Sequence, residues 1–416
     1  MNENKLRKVL VSSFAFNPIK GSECAVGWNY VRAIAAENEV WVLTRSLERD
    51  DIEQYQLQHP DSLRNITVQY VEERFRNLNG PIGKITNYLR YKRWHWDAYQ
   101  QGRILAQQID FDLTHQLTGI GFREPGHLWR LGKPFVWGPL GGLQYIPSHL
   151  LQAIPSSVKP FYVLKNLSTA WAMHVAPKPR RAAAAAAVLI ASSSEIGTKI
   201  RTLWNRESFI SSEVTVPELE PVHLRRRENG EALRIAWGGN CDPLKALNIV
   251  LLALEKVNRT TLDWRLIAMG DGPLFEPWKA LAHDLGIADR CEFRGRVSRS
   301  EVLSIMASSH CLVQPSLYDA TSTVVAEALA SGLPVVCLDH FGFKDAVNAE
   351  CGIKIAPIAL NQVIDDFARA IEMLGRDESL RYNMALAAQK AAENLSWERK
   401  QEVIRTVYDQ IRFAKD

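Results

Sequence analysis

Apolar and polar positions alternate along this chain in blocks that predict strands and helices in turn. Short runs rich in Val, Ile and Leu are typical of buried parallel strands, and the segments between them have helical spacing. In the first half, strands are predicted at 8–13, 39–44, 66–71, 113–116, 135–138 and 188–192. In the second half, they are predicted at 233–239, 264–269, 291–294, 310–314 and 334–338. The alternation predicts an α/β protein with parallel sheets.

A polar segment divides this alternation into two sets. Residues 216–230 contain two prolines and several charges, which is typical of a linker. We therefore predict two doubly wound, Rossmann-like domains, over residues 1–216 and 231–396, with a final helix in 397–416. A ligand is expected at the carboxyl ends of the strands, where doubly wound sheets bind their ligands.

Composition narrows the functional class only slightly. The 416 residues are 46% hydrophobic and 23% charged, which is typical of globular proteins, and the net charge of +4 does not indicate a nucleic-acid partner. The chain has no apolar run of membrane-spanning length, and no signal peptide is expected. The six cysteines are scattered without metal-ligand spacing. A cytoplasmic protein with reduced thiols is expected.

The segment from Leu317 to Val336 carries the most informative chemistry. It predicts a polar loop, a helix and a buried strand, with Asp319 and Glu327 on either side of Thr321, Ser322 and Thr323. A helix N-terminus offers free N–H groups and a partial positive charge, which suit a phosphate. Thr323 and Glu327 share one face of the helix, so a carboxylate capable of accepting from ribose hydroxyls lies beside the phosphate site.

A second group of residues follows the strand that begins the second half. Gly239 ends this strand and Asn240 follows it, and Asp242 with Pro243 predicts the N-cap and first position of a helix. Lys245 is then expected in the first turn of this helix. A cation there is repelled by the positive end of the helix dipole, and a bound anion would offset this repulsion. A solvated surface lysine is the alternative.

These segments resemble glycosyltransferase family 4, in a form similar to a bacterial polysaccharide subgroup. The resemblance rests on the two acids eight positions apart, on Lys245, and on Gly270-Asp271-Gly272-Pro273 followed by a Phe-x-Gly-x-Val segment ending at Val297. It implies the GT-B fold, in which two Rossmann-like domains face each other and the last helix returns to the first. It also implies a retaining, metal-independent sugar transfer from a nucleotide-sugar.

The resemblance assigns roles to individual residues. Asp319 would contact the donor sugar, although the family usually has Glu there, and Glu327 would bind the ribose. Lys245 would stabilise the departing diphosphate together with Asn240, which stands where the family has Arg. Ala246 replaces a family glycine. Further donor-site residues implied by the resemblance are Gly21, Ser22, Gly239, Gly270, Asp271, Gly272, Arg296, Val297, Thr321, Ser322 and Thr323.

Two features of the first half are expected on the acceptor side. His115 ends a predicted strand, so its imidazole is expected to point into the cleft and act as a catalytic group, although a lone histidine is as often structural. Gly141 and Gly142 follow the next strand in a loop with an exposed backbone.

Two motifs are open to other interpretations. Asp110-Phe-Asp112 has the form of a metal-binding motif but precedes a strand, so we expect a turn and no metal site. Residues 84–96 mix basic and aromatic side chains, which suits either a membrane interface or a solvated helix packed by its aromatic residues.

The predicted substrates are a UDP- or GDP-sugar and a hydroxyl acceptor, for which a lipid-linked saccharide is one candidate. No cofactor and no nucleic acid is expected. Polysaccharide and glycolipid synthesis at the cell surface are the predicted contexts. A nucleotide-sugar epimerase of the same fold and a catalytically weak nucleotide-sugar-binding protein are the alternatives.

Overall fold

The computed structural model describes residues 6–21, 23–73, 80–117, 119, 121–216, 224–320 and 322–413, with side chains of 80–85, 412 and 413 outside this description. The chain divides into two compact units. The first unit comprises Met1–Leu143, Trp171–Thr215 and Trp397–Asp416, and the second comprises Gln144–Ala170 and Val216–Ser396.

The first unit contains a seven-stranded parallel sheet. Its strands are β1 (Arg7–Ser12), β2 (Asn38–Arg45), β3 (Ile66–Val71), β4 (Leu113–Gln116), β5 (Phe135–Leu140), β6 (Val188–Ala191) and β7 (Phe209–Ile210). Their order in the sheet is β3-β2-β1-β4-β5-β6-β7. The strand order reverses between the paired strands β1 and β4, and doubly wound sheets bind ligands at the carboxyl ends of the strands at such a point.

Six helices lie between these strands in the part of the chain that the structure describes. They are α1 (Glu23–Ala35), α2 (Arg49–Gln58), α3 (Gly80–Gln108), α4 (Lys159–Val175), α5 (Pro177–Ala185) and α6 (Ser194–Trp204). The side chain of Ser193 caps α6 by accepting from the backbone N–H of Ile196 at 3.3 Å.

The second unit contains a six-stranded parallel sheet. Its strands are β8 (Leu233–Gly238), β9 (Trp264–Met269), β10 (Cys291–Gly295), β11 (Cys311–Gln314), β12 (Val335–Leu338) and β13 (Gly352–Ile355), in the order β10-β9-β8-β11-β12-β13. Strands β11 and β12 are completely buried. Continuous apolar strands of this kind are expected where helices cover both faces of a sheet.

The helices of the second unit follow the strands in alternation. They are α7 (Leu247–Val257), α8 (Phe275–Asp284), α9 (Arg299–Ala307), α10 (Thr323–Ala330), α11 (Phe341–Ala346), α12 (Leu360–Arg376) and α13 (Glu378–Ala392). Two doubly wound parallel sheets are therefore present, as predicted.

The final helix, α14 (Trp397–Phe413), belongs to the first unit. Its apolar residues Ile404, Val407, Tyr408 and Ile411 are buried in one cluster with side chains of β1 and α1. Arg405 of α14 is also paired with Glu37 at the end of α1. The last helix thus completes the core of a unit that begins the chain.

The division of the chain differs from the predicted boundary at residue 216 in one respect. Residues 144–170 belong to the second unit. Leu150 and Ile154 are buried in the same apolar cluster as α7 and α12, and Asn248 of α7 donates to the carbonyl of Ala153 at 3.0 Å. This apolar packing joins a segment from the first half of the chain to the second unit.

Candidate functional site

The loops after β8 and β9 meet at the carboxyl edge of the second sheet. The backbone N–H of Gly239 donates to the carbonyl of Met269 at 3.0 Å, and that of Cys241 donates to Asp271 at 2.9 Å. Gly270 has φ of 141°, and a Cβ there would lie 1.8 Å from the carbonyl oxygen of Gly239. Only glycine allows these two loops to approach so closely.

Lys245 lies in a turn before α7, which corrects its predicted place in the first helical turn. Asp242 does not cap the helix; its Oδ1 accepts from the backbone N–H groups of Leu244 at 2.8 Å and Lys245 at 3.3 Å. Ala246 follows with φ of 47° and ψ of 40°, and α7 begins only at Leu247. A left-handed residue interrupts helical geometry, so Lys245 lies outside α7, directly before its N-cap residue.

The Lys245 ammonium forms an ion pair with the carboxylate of Asp319. Both side chains are largely but not fully buried. The carbonyl of Asp319 also accepts from the side-chain amide of Gln144 at 3.2 Å. The structure therefore brings together two predicted site residues from different loops, and adds Gln144, which no feature of the sequence pointed to.

Helix α10 begins beside this pair. Ser322 is its buried N-cap residue, yet the Ser322 side chain accepts no cap hydrogen bond from the helix. A Cβ on Gly238 would lie 3.0 Å from the side chain of Val324, so the first turn of α10 packs directly on the end of β8. The first helical N–H groups, at Thr323 and Val324, thus lie at the carboxyl edge of the sheet. Thr321 lies outside the described residues.

Glu327 is buried on α10, one turn after Thr323. Its Oε1 lies 3.6 Å from Nη2 of Arg299, an exposed residue at the start of α9. Burial raises the pKa of the Glu327 carboxyl above its usual value, and Arg299 partly opposes this rise. A buried carboxylate with few partners is a strong acceptor for ligand hydroxyls.

The other predicted donor residues follow β9 and β10. Asp271 is exposed, and its Oδ1 accepts from the backbone N–H of Gly272 at 2.7 Å. The backbone N–H of Gly270 donates to the carbonyl of Gly295 at 2.8 Å, which links the loop after β9 to the end of β10. Arg296 is exposed and Val297 is half-buried directly after that strand.

His340, after β12, adds a residue that the sequence analysis missed. Its Nε2 donates to the carbonyl of Ser316 at 2.8 Å, and burial lowers the pKa of its imidazole to about 4. Phe341 follows with φ of 53°, a conformation that costs a non-glycine residue of order 1–3 kcal/mol. The sequence could have indicated His340, because it is a polar residue just after the carboxyl end of a predicted strand.

In the first unit, the predicted glycines also lie at a carboxyl sheet edge. Gly21 is exposed in the loop between β1 and α1. Gly141 is buried after β5, and its carbonyl accepts from the backbone N–H of Phe122 at 3.1 Å. Gly142 has φ of 77°. Ser22 lies outside the described residues.

His115 does not face a ligand site, contrary to our prediction. Its side chain is completely buried in β4. Its Nε2 donates to the carbonyl of Gly138 at 2.8 Å, and its Nδ1 accepts from the hydroxyl of Tyr408 on α14 at 2.8 Å. Burial lowers the pKa of the imidazole to about 4. His115 is therefore a neutral core histidine.

Both ambiguous motifs make contacts within the first unit. Asp110 pairs with Lys133, and Asp112 accepts from the backbone N–H of Lys8 at 2.9 Å, so each acid is engaged at the start of β4. In the 84–96 segment, Trp94 and His95 are buried, whereas Tyr88 and Leu89 are exposed. That segment of α3 is packed mainly through its central aromatic residues.

The described ranges contain no group of three or more His, Cys, Asp or Glu residues placed to hold a metal ion. Among the helices the structure describes, none combines the length and apolar character needed to cross a membrane.

Residues 225–391 match the family described as "Glycosyl transferases group 1". The chain is 26% identical over 257 residues to a sulfoquinovosyl transferase of Arabidopsis thaliana, covering 61% of this chain and 47% of that protein. It is 30% identical over 185 residues to D-inositol 3-phosphate glycosyltransferase of Corynebacterium diphtheriae, covering 42% of each. The chain spans less than half the length of these relatives.

Solved structures similar to the whole chain support the fold. The lipopolysaccharide outer core galactosyltransferase WaaB has a TM-score of 0.65 at 17% identity and covers 98% of this chain and 100% of its own. Sucrose-phosphate synthase of Thermosynechococcus elongatus has a TM-score of 0.66 at 15% identity, covering 99% and 100%. With the two doubly wound sheets, these similarities confirm the predicted GT-B fold.

Proposed function

We propose that this protein is a retaining, metal-independent glycosyltransferase that moves a sugar from a UDP- or GDP-sugar to a hydroxyl acceptor. The observation that carries the proposal is the ion pair of Lys245 and Asp319 at the same sheet edge as the start of α10. A cation and free helix N–H groups there suit the diphosphate of a donor. The match to a glycosyl transferases group 1 domain over 225–391 supports this reading.

In the proposed reaction, the donor lies along the carboxyl edge of the second sheet. Glu327 accepts from the ribose hydroxyls, and Asp319 contacts the sugar. The diphosphate lies near Lys245 and the N-terminus of α10, where preorganised positive charge stabilises the negative charge that develops as the sugar leaves. If the acceptor hydroxyl attacks from the leaving-group side, no carboxylate nucleophile is needed. Positioning of donor and acceptor then supplies the remaining rate acceleration. His115 has no role in this scheme because its imidazole is buried and fully bonded.

The proposed context is cytoplasmic synthesis of a cell-surface polysaccharide or glycolipid, with a saccharide acceptor. Support for the donor class comes from an Anabaena protein of similar fold, with a TM-score of 0.63 at 14% identity, whose structure was solved with UDP. Support for a reducing compartment comes from the six cysteines, all of which are free thiols.

A thermal-shift panel of UDP-, GDP- and ADP-sugars tests the donor class, because a ligand that binds the folded state raises the melting temperature. The donor that stabilises the protein is then incubated with it, and the products are separated by chromatography. Release of nucleoside diphosphate with free or transferred sugar supports the proposal. An epimerised donor would indicate an epimerase, and stabilisation without any turnover would indicate a binding protein. If no donor stabilised the protein, the result would contradict the glycosyltransferase, the epimerase and the binding-protein hypotheses alike.

A further inference from the structure

A group of basic side chains surrounds one imidazole in the first unit. Lys178, in the first turn of α5, places its ammonium 3.2 Å from Nε2 of His127. Arg130 lies three positions after His127, and its backbone N–H donates to the carbonyl of His127 at 3.0 Å. The ring of Trp96 packs edge-on against His127 at 5.3 Å, one turn after Lys92 on the same face of α3. Lys92, His127, Arg130 and Lys178 are here called the basic cluster.

Three positive charges act on the His127 imidazole. Burial, together with Lys178, Arg130 and Lys92, lowers its pKa to about 4, so the ring is neutral near pH 7. Burial also lowers the pKa of the Lys178 ammonium, an effect that Glu124 opposes and that Lys92 and Arg130 increase. The like charges therefore lie close enough to disfavour one another, and a bound anion would relieve this repulsion.

One carboxylate balances part of this charge. Glu124 is buried and forms an ion pair with Lys178, whose side chain is 27% exposed. Lys92 and Arg130 are both exposed, and neither is paired with a carboxylate among the residues that the structure describes. The single acid in the α3 sequence, Asp97, has a basic partner of its own on that helix. The basic cluster therefore keeps an excess of positive charge at the surface.

The hydrogen bonds around the basic cluster are incomplete. An ammonium can only donate, so Nε2 of His127 accepts from Lys178 and the ring proton lies on Nδ1. That Nδ1 and Oε2 of Glu124 are buried without a hydrogen-bond partner in the described part of the chain. Buried polar groups are normally paired, so these two atoms indicate that a further polar molecule completes this group.

The basic cluster lies towards the carboxyl edge of the first sheet. A Cβ on Gly126 would lie 2.2 Å from Oε1 of Gln116, so the loop that carries Glu124 and His127 packs on the last residue of β4. Helix α5 leads into β6, and a crossover helix runs antiparallel to the strands that it connects. Lys178, in the first turn of α5, therefore lies towards the same edge. Doubly wound sheets bind their ligands at this edge.

A phosphate group fits these features. It carries negative charge and several acceptor oxygens, and Arg and Lys are the side chains that bind it. The diphosphate of the donor is assigned to the second unit, at Lys245 and the start of α10. An anion bound by the first unit is therefore assigned to the second substrate, which is the acceptor.

We propose that the basic cluster binds a phosphate group carried by the acceptor, with Lys92, Arg130 and Lys178 contacting its oxygens. Glu124 is a positioning residue that holds the Lys178 ammonium in place. The assignment to the acceptor rests on the proposed transfer reaction, whereas the phosphate site itself does not. A soluble sugar phosphate and a lipid-linked saccharide phosphate share this chemistry.

Calorimetric titration of the full chain with inorganic phosphate, in the absence of any nucleotide, tests the site. We expect binding that weakens with salt, and weaker binding of acetate, which carries a single charge. Lys92→Gln/Arg130→Gln should lower the phosphate affinity by about 10-fold or more, because the anion loses two of its cationic partners. Glu124→Gln/Lys178→Gln should have a similar effect, and it leaves no buried carboxylate without a partner.

The matched control is Arg64→Gln/Arg201→Gln, which removes the same charge from exposed positions elsewhere in the first unit. It should bind phosphate as the wild type does. Melting temperatures verify that all variants are folded. The proposal would be overturned by absence of phosphate binding, by equal affinity for phosphate and acetate, or by equal phosphate affinity of Lys92→Gln/Arg130→Gln and the wild type.

Titration in the presence of saturating UDP or GDP separates the acceptor from the donor. Phosphate binding that persists and still depends on Lys92 and Arg130 supports the acceptor assignment. Loss of that binding would show that the basic cluster holds the diphosphate of the donor, and would overturn the assignment.

Co-sedimentation with vesicles separates the two sources of phosphate. Binding to phosphatidylcholine vesicles that contain phosphatidic acid, lost in Lys92→Gln/Arg130→Gln, would support a lipid-borne phosphate. Binding of inorganic phosphate without vesicle binding would support a soluble acceptor. Phosphate binding needs no turnover, so a failed transfer assay with intact phosphate binding contradicts the transfer reaction alone. Transfer without phosphate binding contradicts the basic-cluster site alone.

Discussion

Lys245 and Asp319, separated by 74 positions in the sequence, form an ion pair between the loops after β8 and β11. Without a donor, the carboxylate balances the charge of the ammonium. A diphosphate bound there would share the lysine with Asp319, so the two side chains should act as a coupled unit in catalysis.

We expect Lys245→Ala to lower kcat/KM for sugar transfer by on the order of 10²-fold, which corresponds to the loss of one preorganised donor. The variant also leaves the Asp319 carboxylate facing the diphosphate without its partner. Adding Asp319→Asn should therefore cause a smaller loss than the product of the two single effects. Steady-state kinetics of the four proteins measure this coupling.

The control for this series is Lys256→Ala, which breaks an exposed lysine–aspartate pair with Asp365 in the same unit. Its activity should be unchanged, since exposed pairs contribute little. Near-normal turnover of Lys245→Ala would remove Lys245 from the mechanism.

Glu327→Gln should weaken donor binding and stabilise the folded state. Since burial raises the pKa of Glu327, the folded state holds its proton more tightly than the unfolded chain, and the ionised form destabilises the fold as pH rises through the raised pKa. The neutral amide avoids this cost, so the variant should melt higher than wild type at neutral pH, with the difference shrinking in acid. Calorimetry should show nucleotide binding weakened by roughly 10-fold or more.

The control for this variant is Glu350→Gln, which alters an exposed carboxylate in a loop. It should change neither the melting temperature nor the nucleotide affinity. Unchanged nucleotide affinity of Glu327→Gln would count against the ribose-binding role.

Four buried histidines and the half-buried His127 should make the protein sensitive to acid. Burial lowers the pKa of His95 to about 3 and those of His115, His127, His310 and His340 to about 4. An unfolded histidine titrates near 6.5, so the stability these groups confer is complete above that pH and is lost as pH falls towards their folded pKa values. The urea concentration at the midpoint of unfolding should therefore decrease as the pH is lowered from 7.5 to 5.

His115→Asn should show a shallower fall in that pH range, whereas substitution of the exposed His283 by Asn should leave the slope unchanged. A midpoint independent of pH would show that these imidazoles are not buried and neutral.

Ala246→Gly should change the stability by less than about 0.5 kcal/mol, because relief of the left-handed strain at φ of 47° offsets the loss of a buried methyl group. Ala253→Gly, inside α7, makes the same change where φ is helical and should destabilise by about 1 kcal/mol. Urea denaturation of the two variants separates the effects. If Ala246→Gly destabilised as much as Ala253→Gly, the left-handed backbone at Ala246 would be wrong.

Much of the fold could be predicted because buried parallel strands are continuous apolar runs. The bounds of β3, β4 and β9 match those expected from the sequence. The short edge strands β7 and β13 were missed: β7 has only two residues, and the central residues of β13 are partly exposed. An edge strand is paired on one side only and needs less apolar sequence.

The site was predictable where chemistry follows from a local pattern, and less so where it depends on distant packing. The N-terminus of α10 and the position of Glu327 one turn after Thr323 could be expected from spacing alone, whereas the burial of Glu327 could not. His115 was misplaced because Tyr408, 293 positions later, covers its imidazole. Lys245 was placed in a helix because Asp242 and Pro243 suggest a helix start, whereas the left-handed Ala246 delays that start to Leu247.

The membership of α14 in the first unit has a consequence for biosynthesis. The residues that cover Val9, Val11 and Tyr30 leave the ribosome after the whole second unit has been translated. Until then, the early part of the chain exposes an uncovered apolar surface, on which a chaperone could act, and a product truncated before Trp397 would keep that surface permanently. The order of synthesis thus makes the packing of α14 a late step in the folding of the first unit.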